Sequence, residues 1–242
     1  MVTGASRNLG AAIAQSLAAH GANVAVNYHA SAQAATQLVE QLRTETGLQH
    51  VAVPGDVSKP AGVREMVAKA VEELGGVDVL VNNAGPFSMT PYSQLPEEEW
   101  DRIWDVNVKA AYMTSRLVAP GMRERGWGRI VNVSAASAYL RNHSVYGLAK
   151  DALIFLTEEL AVELGPEVTV NAVAPGQIAE SAEDIAELDA TFVERALSST
   201  PAGRLVRRSE VAEVICELCG PKFEMLTGAT LPLDGGWRFH RF

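Results

Sequence analysis

Val2-Thr3-Gly4-Ala5-Ser6-Arg7-Asn8-Leu9-Gly10, residues 2–10, is the stretch on which the fold turns. A short β-prone run enters it, and an alanine-rich helical run, Ala11 to His20, leaves it. Glycines between a strand and a helix let backbone amides approach a phosphate, and the start of the helix adds a positive dipole end. The entering run is only Met1-Val2-Thr3, whereas strands in such sheets have about five or six residues. Either the chain begins late or this strand is unusually short.

Outward from the turn, β-rich runs alternate with helical stretches: Val24 to Asn27, Val51 to Val53, Val77 to Asn82, Arg129 to Val133, Val168 to Val173 and Ala229 to Leu233. This βα repeat predicts an α/β fold, a parallel sheet with helices on both faces. Gly and Pro mark the joints, and no linker or low-complexity tract divides the chain, so one domain is expected across residues 1–242. Pro96 suits a first helical position, with Glu97, Glu98 and Glu99 on the positive end of the dipole, and Ser209 can cap the last long helix. The acidic, poorly periodic stretch 179–204 follows a strand end, where open parallel sheets bind ligands, and is read as a substrate lid.

A net charge of -9 argues against a nucleic-acid or anionic-membrane surface, since binding phosphates needs clustered positive charge. No apolar run is long enough to span a bilayer, and the first residues lack the basic-then-apolar order of a signal peptide, so the chain is placed in the cytoplasm. Cys216 and Cys219 form a CxxC without further Cys or His at zinc spacing. They read as two small buried helix residues, and no metal site is expected.

Tyr146-Gly-Leu-Ala-Lys150 sets a phenol and an ammonium four residues apart on one face of an amphipathic helix, Val145 to Leu164. A nearby cation favours the phenolate and lowers the tyrosine pKa, which suits acid/base work on an alcohol or carbonyl. Asn82-Asn83-Ala84-Gly85 ends a strand with small residues and amides that can lie along a dinucleotide. After the second strand stand Asn27, Tyr28, His29 and Ser31, with no carboxylate to bond a ribose 2′-hydroxyl and repel a 2′-phosphate. Arg7 adds a guanidinium suited to phosphate, so NADP(H) is favoured over NAD(H).

The glycine turn, Gly55-Asp56-Val57, Asn82-Asn83-Ala84-Gly85, Asn107, Tyr146-x-x-x-Lys150 and Pro175-Gly176 together resemble the short-chain dehydrogenase/reductase family across nearly the whole chain. Thr227 to Gly236 is similar to the last strand of members close to the 3-oxoacyl-carrier-protein reductases. The resemblance implies a single doubly wound Rossmann-type domain with a mostly or wholly parallel sheet, and hydride transfer between a nicotinamide and a carbonyl or secondary alcohol. It implies Tyr146 as proton donor, Lys150 as its activator and ribose ligand, and Asn107 as holder of a linking water. It further implies cofactor contacts from Gly4, Ser6, Arg7, Asn8, Leu9 and Gly10, from Asp56 and Val57, from Asn83, Ala84 and Gly85, and from Pro175, Gly176 and Ile178. A homodimer or homotetramer follows from the same resemblance.

Three departures stand out. Asn8 replaces the family's middle glycine, and Asn tolerates left-handed backbone angles better than most residues. Ala135 replaces the serine that polarises the substrate carbonyl, leaving Ser134 or Ser137 to take the role. Glu180 stands where a threonine contacts the cofactor, with Ser181 beside it. Pro86, Phe87, Met89, Tyr139, Leu140 and His143 are expected to line an apolar pocket for a small-molecule carbonyl substrate. An acyl-carrier protein is the less favoured partner, for which Arg123, Arg125 and Arg129 are candidate landing cations. The alternative reading is a dinucleotide-binding sensor or scaffold with weakened catalysis.

Overall fold

The computed structural model describes residues 1–141, 144–186 and 191–239. In chain order the elements are α1 (Asn8–Ala19), β1 (Ala25–Tyr28), α2 (Ala32–Thr46), β2 (Val51–Pro54), α3 (Pro60–Leu74), β3 (Val79–Asn82), α4 (Glu97–Trp104), α5 (Ala110–Glu124), β4 (Gly128–Val133), α6 (Val145–Leu164), β5 (Val168–Pro175), α7 (Ala179–Ala186), α8 (Phe192–Ser198), α9 (Arg208–Cys219) and β6 (Thr230–Leu233). The helices start and stop on local signals. Pro60 opens α3, and Gly75 ends it with a φ of 80° that a side chain would oppose. Pro96, expected inside α4, is instead its cap, with the three glutamates in the first turn.

All strand pairs are parallel: β1 with β2, and β3, β4, β5 and β6 in order. The first β-run does not form a full strand. Val2 alone bridges both Val26 and Val81, its amide bonding Ala25 O at 3.0 Å while Thr3 N reaches Val81 O at 3.0 Å. Three residues therefore join the two groups of strands at the centre of the sheet.

Alternation along the strands makes the sheet doubly wound. Leu80, Ile130 and Val170 point into one apolar cluster with Met66 of α3, Met122 of α5 and Leu160 of α6. Val81, Val131 and Val173 point the other way, onto Ile13 and Leu17 of α1, Leu38 of α2 and Ile215 of α9. Cys216 and Cys219 are free thiols buried in that second layer, where burial pushes the Cys219 thiol up to about 12. Among the described residues, no helix is long and apolar enough to cross a membrane.

Among its described residues, the stretch 179–204, which lacks clear periodicity, holds two short helices. Ala182 of α7 and Ala196 of α8 form a small apolar cluster with Leu205, and this local burial is what the periodicity misses.

Candidate active site

A cleft of about 690 Å³ opens at the carboxyl ends of the strands. The loops after the Val2 bridge, β1, β2, β3, β4 and β5 contribute Gly4 and Ser6 to Gly10, Asn27 to Ser31, Gly55 to Ser58, Asn83 to Pro86, Val133 to Ala135, and Pro175, Gly176 and Ile178. Tyr146 and Lys150 enter from α6. Every residue expected to touch a cofactor thus borders one cleft. Arg102 and Val106, which sequence reading did not single out, border it as well, spaced one helical turn apart ahead of Asn107.

The glycine turn is held by side chains read as cofactor ligands. Asn27 Oδ1 accepts from Gly4 N at 3.1 Å, and its Nδ2 donates to Val53 O and Gly55 O, both at 3.2 Å. Asn83 Nδ2 donates to Thr3 O at 3.0 Å and Gly4 O at 3.2 Å, while Thr3 Oγ1 accepts from the amides of Asn83 and Ala84. Asn27 and the Asn83 amide nitrogen therefore shape the turn. Asn8 takes a φ of 53°, the left-handed angle its side chain tolerates. Arg7 caps α1 without a side-chain bond to it, so the first amides of α1 face the cleft. The Arg7 side chain is exposed at the cleft wall.

At the inner end, Lys150 Nζ donates to Val133 O at 2.7 Å and lies 5.5 Å from the centre of the Tyr146 ring. Asn107 sits in a π turn, Asp105–Lys109, between α4 and α5, a distortion that often marks functional positions. Its Nδ2 donates to Ile103 O at 3.0 Å and Pro86 O at 3.1 Å, leaving an enclosed Oδ1 without a partner among the described residues. Gly85 lies between these groups. A Cβ there would come within 2.3 Å of Asn107 Oδ1 and 3.1 Å of Lys150 Nζ.

The expected lowering of the tyrosine pKa is reversed. Burial pushes the Tyr146 phenol up and pulls the Lys150 ammonium down to about 7. With the lysine directed at a backbone carbonyl, desolvation outweighs the attraction between cation and phenolate.

Two turns deeper, a buried polar ladder ties the same helices to the sheet. Thr114 Oγ1 donates to Asn82 Oδ1 (2.6 Å), Asn82 Nδ2 to Asn132 Oδ1 (2.8 Å), and Asn132 Nδ2 to Thr157 Oγ1 (2.9 Å). Thr114 follows Asn107, and Thr157 follows Lys150, by two helical turns, so this satisfied network sets the register in which the site residues meet.

The other expected residues divide. Ser134 borders the cleft, but its hydroxyl donates to Lys150 O at 2.8 Å. Ser137 is buried, with no hydrogen-bond partner for its hydroxyl among the described residues, and it does not border the cleft. Phe87 meets the Tyr146 ring edge-on at 5.0 Å. Met89 is exposed, and His143 lies outside the described residues. Tyr139 does not border the cleft; Arg238 stacks 5.4 Å from its ring and is held in turn by Asp234. The Glu180 carboxylate accepts from Arg208 N at 3.2 Å and occupies the start of α9. Ser209 falls inside the first turn of α9 and is not its cap, since Arg207 holds that position.

Arg123, Arg125 and Arg129 do not form a patch at the cleft mouth. They sit at the amino end of β4, opposite the cleft. Arg123 bonds Glu163 O, Arg125 pairs with Asp78 at 2.8 Å, and Arg129 is buried against the Trp127 ring.

A bound nicotinamide dinucleotide fits this arrangement. The amides at the start of α1 suit its pyrophosphate, and the orphaned Asn107 Oδ1 and the bare Gly85 edge leave room and an acceptor beside Tyr146 and Lys150.

A family model described as enoyl-(acyl carrier protein) reductase matches residues 4–238. The D-beta-hydroxybutyrate dehydrogenase of Rhizobium meliloti (strain 1021) is 32% identical, over 98% of this chain and 97% of that protein. A 3-oxoacyl-(acyl-carrier-protein) reductase of Staphylococcus epidermidis is 35% identical, over 98% of this chain and 97% of its own. The crystal structure of a gluconate 5-dehydrogenase from Burkholderia cenocepacia J2315, in complex with NADP and tartrate, superposes with a TM-score of 0.91 at 28% identity, covering 99% of this chain and 94% of that one.

Proposed function

The chain belongs to the short-chain dehydrogenase/reductase family and is an NAD(P)-dependent oxidoreductase, and from that premise we propose that it uses NADPH to reduce the carbonyl of a small apolar substrate. The observation that carries this reading is the meeting of Lys150 and Asn107 at Gly85, with Tyr146 beside Lys150, at the inner end of the cleft. Arg7 supports NADPH, because its guanidinium stands at the glycine turn while the loop after β1 offers no carboxylate to reject a 2′-phosphate.

When bound, the cofactor supplies a hydride to the carbonyl carbon. The chain's own residues do the rest. The glycine turn and the start of α1 hold the pyrophosphate. Lys150 Nζ bonds ribose hydroxyls with the hydrogens not directed at Val133. The Tyr146 phenol gives its proton to the carbonyl oxygen, and its raised pKa keeps that proton in place until charge develops there. Asn107 Oδ1 accepts from a water that returns a proton through Lys150. Phe87 walls the substrate side, and α7 and α8 close over it as a lid. The exposed Tyr112 and Leu117 of α5 and Phe155 and Val162 of α6 support pairing of these helices in a homodimer or homotetramer.

NADPH oxidation against a panel of ketones, diketones, quinones and 3-oxoacyl thioesters tests the reading, with cofactor binding followed separately by fluorescence. Tyr146→Phe should remove turnover while leaving NADPH affinity within about twofold; a variant as active as the parent would refute the proton donor. Ala135, at the cleft without a hydroxyl, favours the second reading, a dinucleotide-binding sensor. Tight NADPH binding with no turnover on any member of the panel would move the assignment there.

A further inference from the structure

We infer that Ser137 supplies the hydroxyl that supports the substrate carbonyl, in place of the serine absent at Ala135. The inference rests on the reductase reading above. Three serines lie between β4 and Tyr146, and their hydroxyls differ in what they already hold. Ser134 Oγ donates to Lys150 O at 2.8 Å, and turning it toward the cleft would break that bond. Ser144 Oγ accepts from Gly147 N at 3.2 Å as the cap of α6. Ser137 Oγ is enclosed, with no partner among the described residues, in a residue 6% exposed.

An enclosed hydroxyl without a partner costs about 1–3 kcal/mol, and such groups are rare enough to call for an explanation. Ser137 sits in the short 3-10 turn Ala136–Tyr139, which packs on α6, the helix of Tyr146 and Lys150. The turn begins directly after Ala135, which borders the cleft. Among the described residues no hydrogen bond holds the Ser137 χ1 angle, so rotation among its staggered positions breaks none there. As the hydride adds to the carbonyl carbon, the π pair moves onto oxygen. That oxygen takes its proton from Tyr146 and a hydrogen bond from Ser137, which keeps its own proton.

The test is steady-state NADPH oxidation with 2,3-butanedione, ethyl acetoacetate and 9,10-phenanthrenequinone, alongside NADPH binding by fluorescence and melting temperature. Ser137→Ala should lower kcat about 10²-fold, the scale of losing one such donor. KM for the ketone and the NADPH dissociation constant should stay within about threefold, and the melting temperature should hold or rise as an unsatisfied hydroxyl is removed. Ser137→Thr should recover at least about a tenth of the parent kcat. The double change Ala135→Ser with Ser137→Ala should also recover turnover. A Ser137→Ala kcat within twofold of the parent overturns the inference and leaves the reductase reading standing, as does a large loss confined to Ser134→Ala. A parent protein that binds NADPH and oxidises it with none of the three carbonyls overturns the reductase reading itself.

Discussion

Lys150 Nζ stands 5.5 Å from the centre of the Tyr146 ring and donates to Val133 O at 2.7 Å, so the two catalytic candidates share a cleft without sharing a hydrogen bond in the free chain. Burial holds the Lys150 ammonium at about 7, and its unfolded counterpart stays protonated up to about 10.4. Between those values the unfolded chain binds more protons, so this group makes stability rise with pH across the interval, and its full penalty is present below about pH 7. Lys150→Met should therefore raise the melting temperature of the cofactor-free protein by several degrees at pH 7. The gain should shrink toward pH 10. Calorimetry on both proteins across that range measures it, and a constant or negative difference would contradict the buried-cation account.

Arg7 is the residue on which the proposed NADPH preference rests. Charge-assisted hydrogen bonds contribute roughly 1.5–3 kcal/mol, so Arg7→Ala should raise the NADPH dissociation constant about ten- to a hundredfold and leave NADH within twofold. Fluorescence titration with each cofactor decides it. A parallel loss for both would point to a damaged glycine turn and not to a lost phosphate contact.

Glu180 ties the first turn of α7 to the start of α9. Its carboxylate meets Arg208 N, and Ala179 N bonds Val206 O at 2.8 Å beside it. Removing an acceptor and a negative charge from a helix start costs about 1 kcal/mol. For a chain of this size, Glu180→Ala should lower the melting temperature by about 2–4 °C. Glu180→Gln, which keeps the acceptor, should lose less. Equal melting of Glu180→Ala and the parent would show that the carboxylate does not hold α9.

Much of this was legible in the residues themselves. The alternation of runs such as Val77 to Asn82 with helical stretches points to a parallel sheet because bonded spacing sets side-chain period. Tyr146 and Lys150 share a face because four residues make about one helical turn. The borders of 179–204 were less legible, since two short helices closing on each other through Ala182, Ala196 and Leu205 carry little periodicity. Tyr139 and the three arginines were misplaced because their surroundings come from distant segments: Arg238 for Tyr139, Asp78 for Arg125, Glu163 for Arg123.

What the sequence by itself determined was the order of the elements, the face each motif occupies and the set of loops that meet at the cleft, all consequences of spacing along a bonded chain. Only the tertiary structure decided which polar groups in the cleft and around it remain available. Ser134 is taken by Lys150 O, sixteen residues away in sequence, and Glu180 by Arg208 N, twenty-eight away. Asn27 is taken by Gly4, Val53 and Gly55, while the Ser137 hydroxyl has no partner among the described residues. A hydrogen bond depends on distance and direction in space, and those are set by packing between segments whose separation in sequence carries no record of it.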